Sequence, residues 1–144
     1  MRAIRRLLAW IRDDRGSSAV ELAILAPTLI IVSLLIVQFA LWFDARHAAL
    51  AAAQEGDRAA REEAFVNPSG WQAIAVGNAM NYYQGLDTSV LSRVNAQAAY
   101  AAGNNVSVTV SGQLNGIWPL TISETVTGPV ECFRTLQSQG RNCG

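Results

Sequence analysis

A long uncharged apolar run near the N-terminus constrains this chain more than any other feature. Residues 22–43 read LAILAPTLIIVSLLIVQFALWF, and the run is bracketed by Glu21 and Asp44. A helix of these 22 residues is about 33 Å long, which is enough to cross a hydrocarbon core of about 30 Å. The run is also longer than the roughly 7–15-residue core of a cleaved secretory signal. It therefore predicts a transmembrane helix.

The charged residues predict how that helix is oriented. Residues 1–16 hold five arginines against two aspartates, net +3, whereas residues 44–144 hold six arginines against eight acids, net −2. The positive-inside rule then places the N-terminus in the cytoplasm and residues 44–144 outside, in a single-pass protein of the cytoplasmic membrane. Eleven basic residues balance eleven acidic ones over the whole chain, which excludes a general nucleic-acid-binding surface. Three polar residues inside the run are expected to bond within the helix or to a neighbouring helix: Thr28, Ser33 and Gln38.

The residues just before the span suggest a processing site. A cut after Gly16 would make Ser17 a new N-terminus, whose amino group has an ordinary pKa of about 7.7–8.0 and is mostly cationic. Glu21 would become the fifth residue of the mature chain, at the edge of the membrane, where an unpaired carboxylate is costly. In a bundle of such helices it can pair with the terminal ammonium of an adjacent subunit and set the axial register. Alternatively, residues 15–18 are a polar flank, and Glu21 is a helix-start charge favoured by the macrodipole.

This arrangement resembles the class III signal of type IV pilins: a basic leader, Gly, a cut, four residues, Glu and an apolar helix. The segment 15–23, followed by Pro27 and by AAAQEGDRA at 51–59, is similar to the TadE-like family. That family comprises minor pilins or pseudopilins of the Tad (type IVc, Flp) pilus. Its Pro-Val-Glu stretch compares with Gly128–Glu131. Leu22 replaces the tyrosine of the major Flp pilin, and the long tail also favours a minor subunit.

The resemblance implies a structural role in pilus assembly and cell adhesion. The expected partners are a prepilin peptidase that cuts after Gly16 and can methylate Ser17, other pilin subunits contacted through the N-terminal helix, and the Tad assembly platform with its ATPase. One alternative is an envelope protein held by an uncleaved signal anchor, with an external binding domain. Another is an exported soluble protein, because residues 49–51 and 51–53 fit a small-x-small signal cut.

No enzymatic site, cofactor or small-molecule substrate is expected. The sequence has no phosphate-cradling glycine loop, no metal-spaced His/Cys cluster and no nucleophile with a matched base. His47 has no partner at catalytic spacing and is interpreted as an interfacial residue. Cys132 and Cys143 both lie in the predicted external region, where an oxidising compartment would allow a disulfide. The alternative for this pair is two free thiols.

Small residues recur at helical spacing after the span and predict a helix-packing face. This face would pack in a pilus bundle or against the protein's own external domain, although alanine propensity alone also explains it. Oppositely charged pairs at i, i+4 are expected on the other faces of the helix: Asp57 with Arg61, and Arg58 with Glu62. The packing face itself consists of Ala45, Ala49, Ala52, Gly56 and either Ala59 or Ala60.

The predicted fold class is α+β, with a pilin-like N-terminal helix extended into a small extracytoplasmic domain. The predicted organisation is a leader at 1–16, a helix at 17–65 that includes the span 22–43, and the domain at 66–144. Within the domain we expect one or two short helices and a C-terminal β-hairpin. Turn residues break the chain at 67–70, and a helix follows at 71–84 with Trp71, Ile74, Ala75 and Tyr82 on one side. A second helix is expected from a cap at 87–89 through Ala102, and strands at 106–111 and 120–127 pair around Asn115-Gly116.

Overall fold

The structure, a computed structural model, describes residues 15–86 and 90–131. Its elements are α1 (Arg15–Val66), α2 (Trp71–Gly85), β1 (Leu91–Ala101), β2 (Asn105–Leu114) and β3 (Thr121–Pro129). A long apolar helix followed by a short helix and an antiparallel sheet confirms the predicted α+β class. The chain divides into two compact units, Met1–Val37 and Gln38–Gly144, and α1 contributes to both.

The described part of the first unit is the N-terminal portion of α1. Its large apolar side chains from Val20 to Val37 are all exposed. The hydroxyls of Thr28 and Ser33 donate to the carbonyls of Ile24 and Leu29, at 3.3 and 2.8 Å. These polar side chains are therefore satisfied within the helix, as the sequence predicts, and leave the outer surface of the helix apolar.

The second unit is a helical layer on a three-stranded antiparallel sheet of order β1-β2-β3. The central strand β2 alternates strictly, with Val106, Val108 and Val110 fully buried and the intervening residues more exposed. Opposite these valines, α1 and α2 present mainly alanines. Because alanine leaves the helix surface nearly flat, the helices approach the sheet closely, and Trp71 is the one fully buried aromatic among the described residues.

The helix α2 begins and ends close to its predicted limits, but its buried face differs from the predicted side. The buried residues are Trp71, Ala75, Ala79 and Tyr83, in a strict i, i+4 row. Ile74 and Tyr82 are instead exposed. The Tyr83 hydroxyl lies 3.2 Å from both the carbonyl and the amide of Leu91, so it fixes the end of α2 to the start of β1.

The predicted second helix through Ala102 is wrong, because residues 91–101 form β1. Arg93 has φ 52°, and the pairing register with β2 shifts between Ser92 and Asn95. This bulge changes which positions face the core, since Leu91 is buried before it and Ala96 after it. The interruption hides the two-residue period, and the alanine-rich composition then imitates a helix.

Gly103 and Asn104, which directly follow the predicted end of the second helix, form a turn in the structure. Gly103 and Asn104 have φ of 76° and 60° and form the turn between β1 and β2. Positive φ at consecutive residues is typical of tight hairpin turns as well as of helix ends. The two predicted strands are confirmed as β2 and β3, joined by residues 115–120.

Candidate functional site

The first candidate site is the uncovered apolar surface of α1. One helix in the described part of the chain is long and apolar enough to cross a membrane, judged by length and composition. Its most apolar 18-residue window has a mean hydropathy of 2.6, and none of that window is buried. Such a surface needs lipid or other helices around it, because exposing this much apolar area to water is unfavourable. These properties support single-pass membrane anchoring.

The proposed processing residues lie at the start of this helix. Gly16 and Ser17 belong to the first described turn of α1. Glu21 follows Ser17 by four residues and is exposed. Within residues 15–86 and 90–131, no ion pair involves Glu21.

The small-residue face of α1 is covered by the chain's own domain. Ala45, Ala49 and Ala52 have no exposed surface, and Ala60 continues the same face. Of the two expected uses of this face, packing in a pilus bundle or packing against the external domain, the structure displays the second. These residues are therefore not accessible to a neighbouring subunit while the domain is folded.

Gly56 is the point of closest approach within that face. A Cβ added there would lie 2.9 Å from Ala79 Cβ, 2.9 Å from Val108 Cγ1 and 3.0 Å from the Ala75 carbonyl oxygen. Contacts this short with both α2 and β2 mean that only glycine fits without movement of the surroundings. Gly56 thus sets the distance between α1, α2 and the sheet.

A charged cluster beside Gly56 joins α1 to the end of β3. Arg61 Nη2 lies 2.5 Å from Glu131 Oε1, and Arg61 Nε donates to the Pro129 carbonyl at 3.2 Å. The Glu131 amide donates in return to the Arg61 carbonyl at 3.0 Å. The cluster therefore brings Arg61 of α1 and the Pro-Val-Glu stretch together, although about seventy positions separate them in sequence.

Asp57 is part of the same cluster, and it is buried there. It is 5% exposed, and its Oδ1 has no hydrogen-bond partner among the described residues. Burial raises the pKa of Asp57, while nearby Arg61 opposes that rise and Glu131 adds to it. The i, i+4 spacing of Asp57 and Arg61 signalled their proximity, but nothing in the local sequence indicated that β3 would cover the carboxylate.

A second polar group lies near the C-terminal end of the apolar run. Arg46 Nε lies 2.5 Å from Glu124 Oε1, and its guanidinium carbon lies 5.1 Å from the centre of the Trp42 ring. The hydrogen bond and charge of Glu124 raise the pKa of Arg46. His47 is exposed and packs edge-on against Phe43, with ring centres 4.3 Å apart. A shallow cleft of about 260 Å³ is lined by Trp42, Phe43, Arg46, His47, Leu50 and Glu124.

Gln38 connects the apolar run to the loop between β2 and β3, a contact that the sequence analysis missed. Its side chain is buried, and its Oε1 accepts from the Ile117 amide at 2.8 Å. Its Nε2 donates to the Trp118 carbonyl at 3.1 Å. The expected partner was a helix, whereas the observed partner is the backbone of a loop 79 and 80 positions away. Only the isolated glutamine within an apolar run hinted at such a contact.

Residues 16–58 match the family model described as TadE-like protein. This part of the chain is TadE-like. The match includes Gly16, Glu21, Gln38 and Gly56, so it extends from the proposed processing site to the point of closest packing. Comparison of the chain with curated proteins and with solved structures found no match.

The TadE-like match confirms, over residues 16–58, the resemblance seen in sequence, and the TadE-like family is pilus-associated and of a structural, non-enzymatic kind. The structure places the TadE-like residues in two settings. Glu21 and the apolar residues after it are uncovered, whereas Gly56 and the alanines before it are packed in the domain. Cys132 and Cys143 lie outside the described residues, so the predicted disulfide stays a prediction.

Proposed function

We propose that this protein is a minor pilin or pseudopilin of a Tad-type pilus, cut by a prepilin peptidase after Gly16. The observation that carries the proposal is the combination of a TadE-like segment with a helix whose large apolar side chains are exposed from Val20 to Val37. A helix of this kind can be held by lipid before assembly and by neighbouring pilin helices afterwards. Residues 44–144 would lie outside the cytoplasmic membrane and be presented by the fibre.

Glu21 gives this assembly its register. After the cut, the Ser17 ammonium and the Glu21 carboxylate are four residues apart, on one face of the helix. Each charge is costly at the membrane edge, and pairing with the opposite charge of a neighbouring subunit removes both costs together. The Tad assembly platform and its ATPase would supply the work that moves the subunit out of the membrane.

The first experiment is intact-mass measurement and N-terminal sequencing of the protein from membranes, with and without an active prepilin peptidase. We expect a mature chain beginning at Ser17 only when the peptidase is active. A chain that keeps residues 1–16 in both strains would contradict the proposal and favour the uncleaved signal anchor. A start near residue 52 in the culture medium would instead favour an exported soluble protein.

A pair of matched variants separates processing from assembly. Glu21→Ala should still be cut but should enter pili or pilus-associated fractions poorly, because the terminal ammonium loses its partner. Glu62→Ala removes an exposed acid from the same helix, away from the membrane edge, and should behave as the wild type. Normal piliation with Glu21→Ala would refute the pairing role.

A further inference from the structure

The loop between β2 and β3, residues 115–120, has a surface that the fold leaves apolar and exposed. Ile117, Trp118 and Leu120 keep 46%, 50% and 43% of their surface exposed. No charged residue occurs between Leu114 and Ser123. Three large apolar side chains side by side on an uncharged loop are unusual for a surface in contact with water, since each costs free energy when hydrated.

This loop is held in place and does not depend on its apolar side chains for its position. Gln38 binds the backbone at Ile117 and Trp118, and the Leu114 amide donates to the Leu120 carbonyl at 2.8 Å. A Cβ at Gly116 would lie 2.6 Å from Gln38 Oε1, so a side chain there would displace the end of the glutamine side chain. The side chains of Ile117 and Leu120 are therefore free to contact something else.

The position of Gln38 in the chain indicates what the loop contacts. Gln38 lies inside the apolar run, and Phe39 and Phe43, which follow it in the run, are 65% and 53% exposed. A loop bonded to Gln38 is thus beside the last turns of the apolar run. Aromatic and aliphatic side chains at this level are typical of the boundary between acyl chains and headgroups.

Counted from Gln38 on α1 and from Leu120 before β3, both elements reach a charged residue after a similar distance. Arg46 lies eight residues beyond Gln38 on α1, a rise of about 12 Å. Glu124 lies four residues beyond Leu120 in the chain, about 13 Å if extended. Arg46 and Glu124 form an ion pair, so α1 and β3 become charged at the same level.

We propose that residues 116–120 form a second membrane contact, inserted at the acyl–headgroup boundary beside the C-terminal end of the span. Bilayer lipid is the occupant that fits, because the loop is uncharged and is bonded to Gln38, which the exposed Phe39 and Phe43 follow in the apolar run. Backbone that is not helical is excluded from the hydrocarbon interior, so the hydrocarbon must end near Gln38. Residues 22–38 would then span about 25 Å, at the short end of transmembrane helices. The terminal turns of the run, residues 39–43, would lie at the interface.

The test uses the full chain in vesicles of phosphatidylcholine and phosphatidylglycerol, with Cys132 and Cys143 replaced by serine. An environment-sensitive fluorophore is attached in turn to Ile117→Cys, Leu120→Cys and the control Ala102→Cys. Ala102 is exposed in the β1–β2 turn, at the opposite end of β2 and about 30 Å away. Quenching is then measured with lipids that carry a nitroxide close to the headgroup.

We expect strong lipid quenching and blue-shifted emission at positions 117 and 120, and several-fold weaker quenching at 102. Emission typical of water with equally weak quenching at all three positions would overturn the proposal. So would blue-shifted emission at 117 and 120 that the nitroxide lipids do not quench and that fades as protein is diluted in lipid, because that result assigns the loop to a second copy of the chain. The outcome does not depend on cleavage after Gly16.

Discussion

The packing at Gly56 predicts that alanine at this position destabilises the domain, whereas helix propensity predicts that it stabilises the domain. Replacing a helical glycine by alanine normally stabilises a helix by about 0.8–1 kcal/mol. At Gly56 the new methyl group would meet Ala79 and Val108 at 2.9 Å and the Ala75 carbonyl oxygen at 3.0 Å. Overpacking of a well-packed core costs about 1–3 kcal/mol. The net effect of Gly56→Ala is therefore a destabilisation of between about 0 and 2 kcal/mol.

Gly77 in α2 is the matched control. A Cβ at Gly77 has no neighbour within 4 Å, so Gly77→Ala should yield the propensity gain of about 0.8–1 kcal/mol without an opposing cost. The two variants make the same chemical change in two helices of one domain. Their free energies of unfolding should differ by about 1–3 kcal/mol, which is the overpacking cost alone.

Thermal unfolding of the detergent-solubilised full chain measures this difference. Near-ultraviolet circular dichroism reports on the buried Trp71, whose ring packs at 4.8 Å from Tyr100. For a domain of this size about 1 kcal/mol corresponds to about 4–8 °C in Tm. We expect Gly77→Ala above the wild type and Gly56→Ala at or below it. If Gly56→Ala raised Tm as much as Gly77→Ala, the close approach of α1 to α2 and β2 would be refuted.

Three further predictions concern the polar contacts. Burial raises the pKa of Asp57, so the stability that its protonated form contributes is complete below its unfolded pKa and is lost as pH rises through the folded pKa. The Tm of Asp57→Asn should therefore rise relative to the Tm of the wild type between about pH 4 and about pH 7. A difference in Tm that stays constant over this range would contradict the prediction. Gln38→Leu strands the Ile117 amide and the Trp118 carbonyl and should cost about 1–3 kcal/mol of unfolding free energy in chemical denaturation; an unchanged midpoint would show that the loop is held otherwise. Arg46→Gln removes an exposed ion pair and should lower the midpoint of chemical denaturation only slightly, less than Gln38→Leu does in the same assay.

The sequence predicts well those elements whose pattern is uninterrupted. The apolar run, the turn residues at 67–70 and the alternating valines of β2 each indicate their element directly. The strand β1 was missed because the bulge at Arg93 breaks its period and alanines fill the rest. Local pattern is a weak guide where tertiary pairing decides the conformation.

The residues of the candidate site also differ in how well the sequence predicts them. Gly16, Glu21 and the small-residue face follow from spacing along one helix, which sequence displays directly. The contacts of Gln38 with Ile117, and of Arg61 with Glu131, join residues about seventy to eighty positions apart. Nothing in the local sequence near either partner indicates the other, so these contacts could be found only once the sheet was placed against α1.

Because Gln38 and Ala45 belong to one unbroken helix, the loop contact and the domain core share a single helical phase. Inserting one residue between them would turn Gln38 by about 100° relative to the core and carry it away from Ile117. Inserting four would nearly restore its direction but displace it by about 6 Å along the axis. The number of residues between Gln38 and Ala45 is therefore as constrained as their identity, and changes in helix length should be tolerated only on the N-terminal side of Gln38.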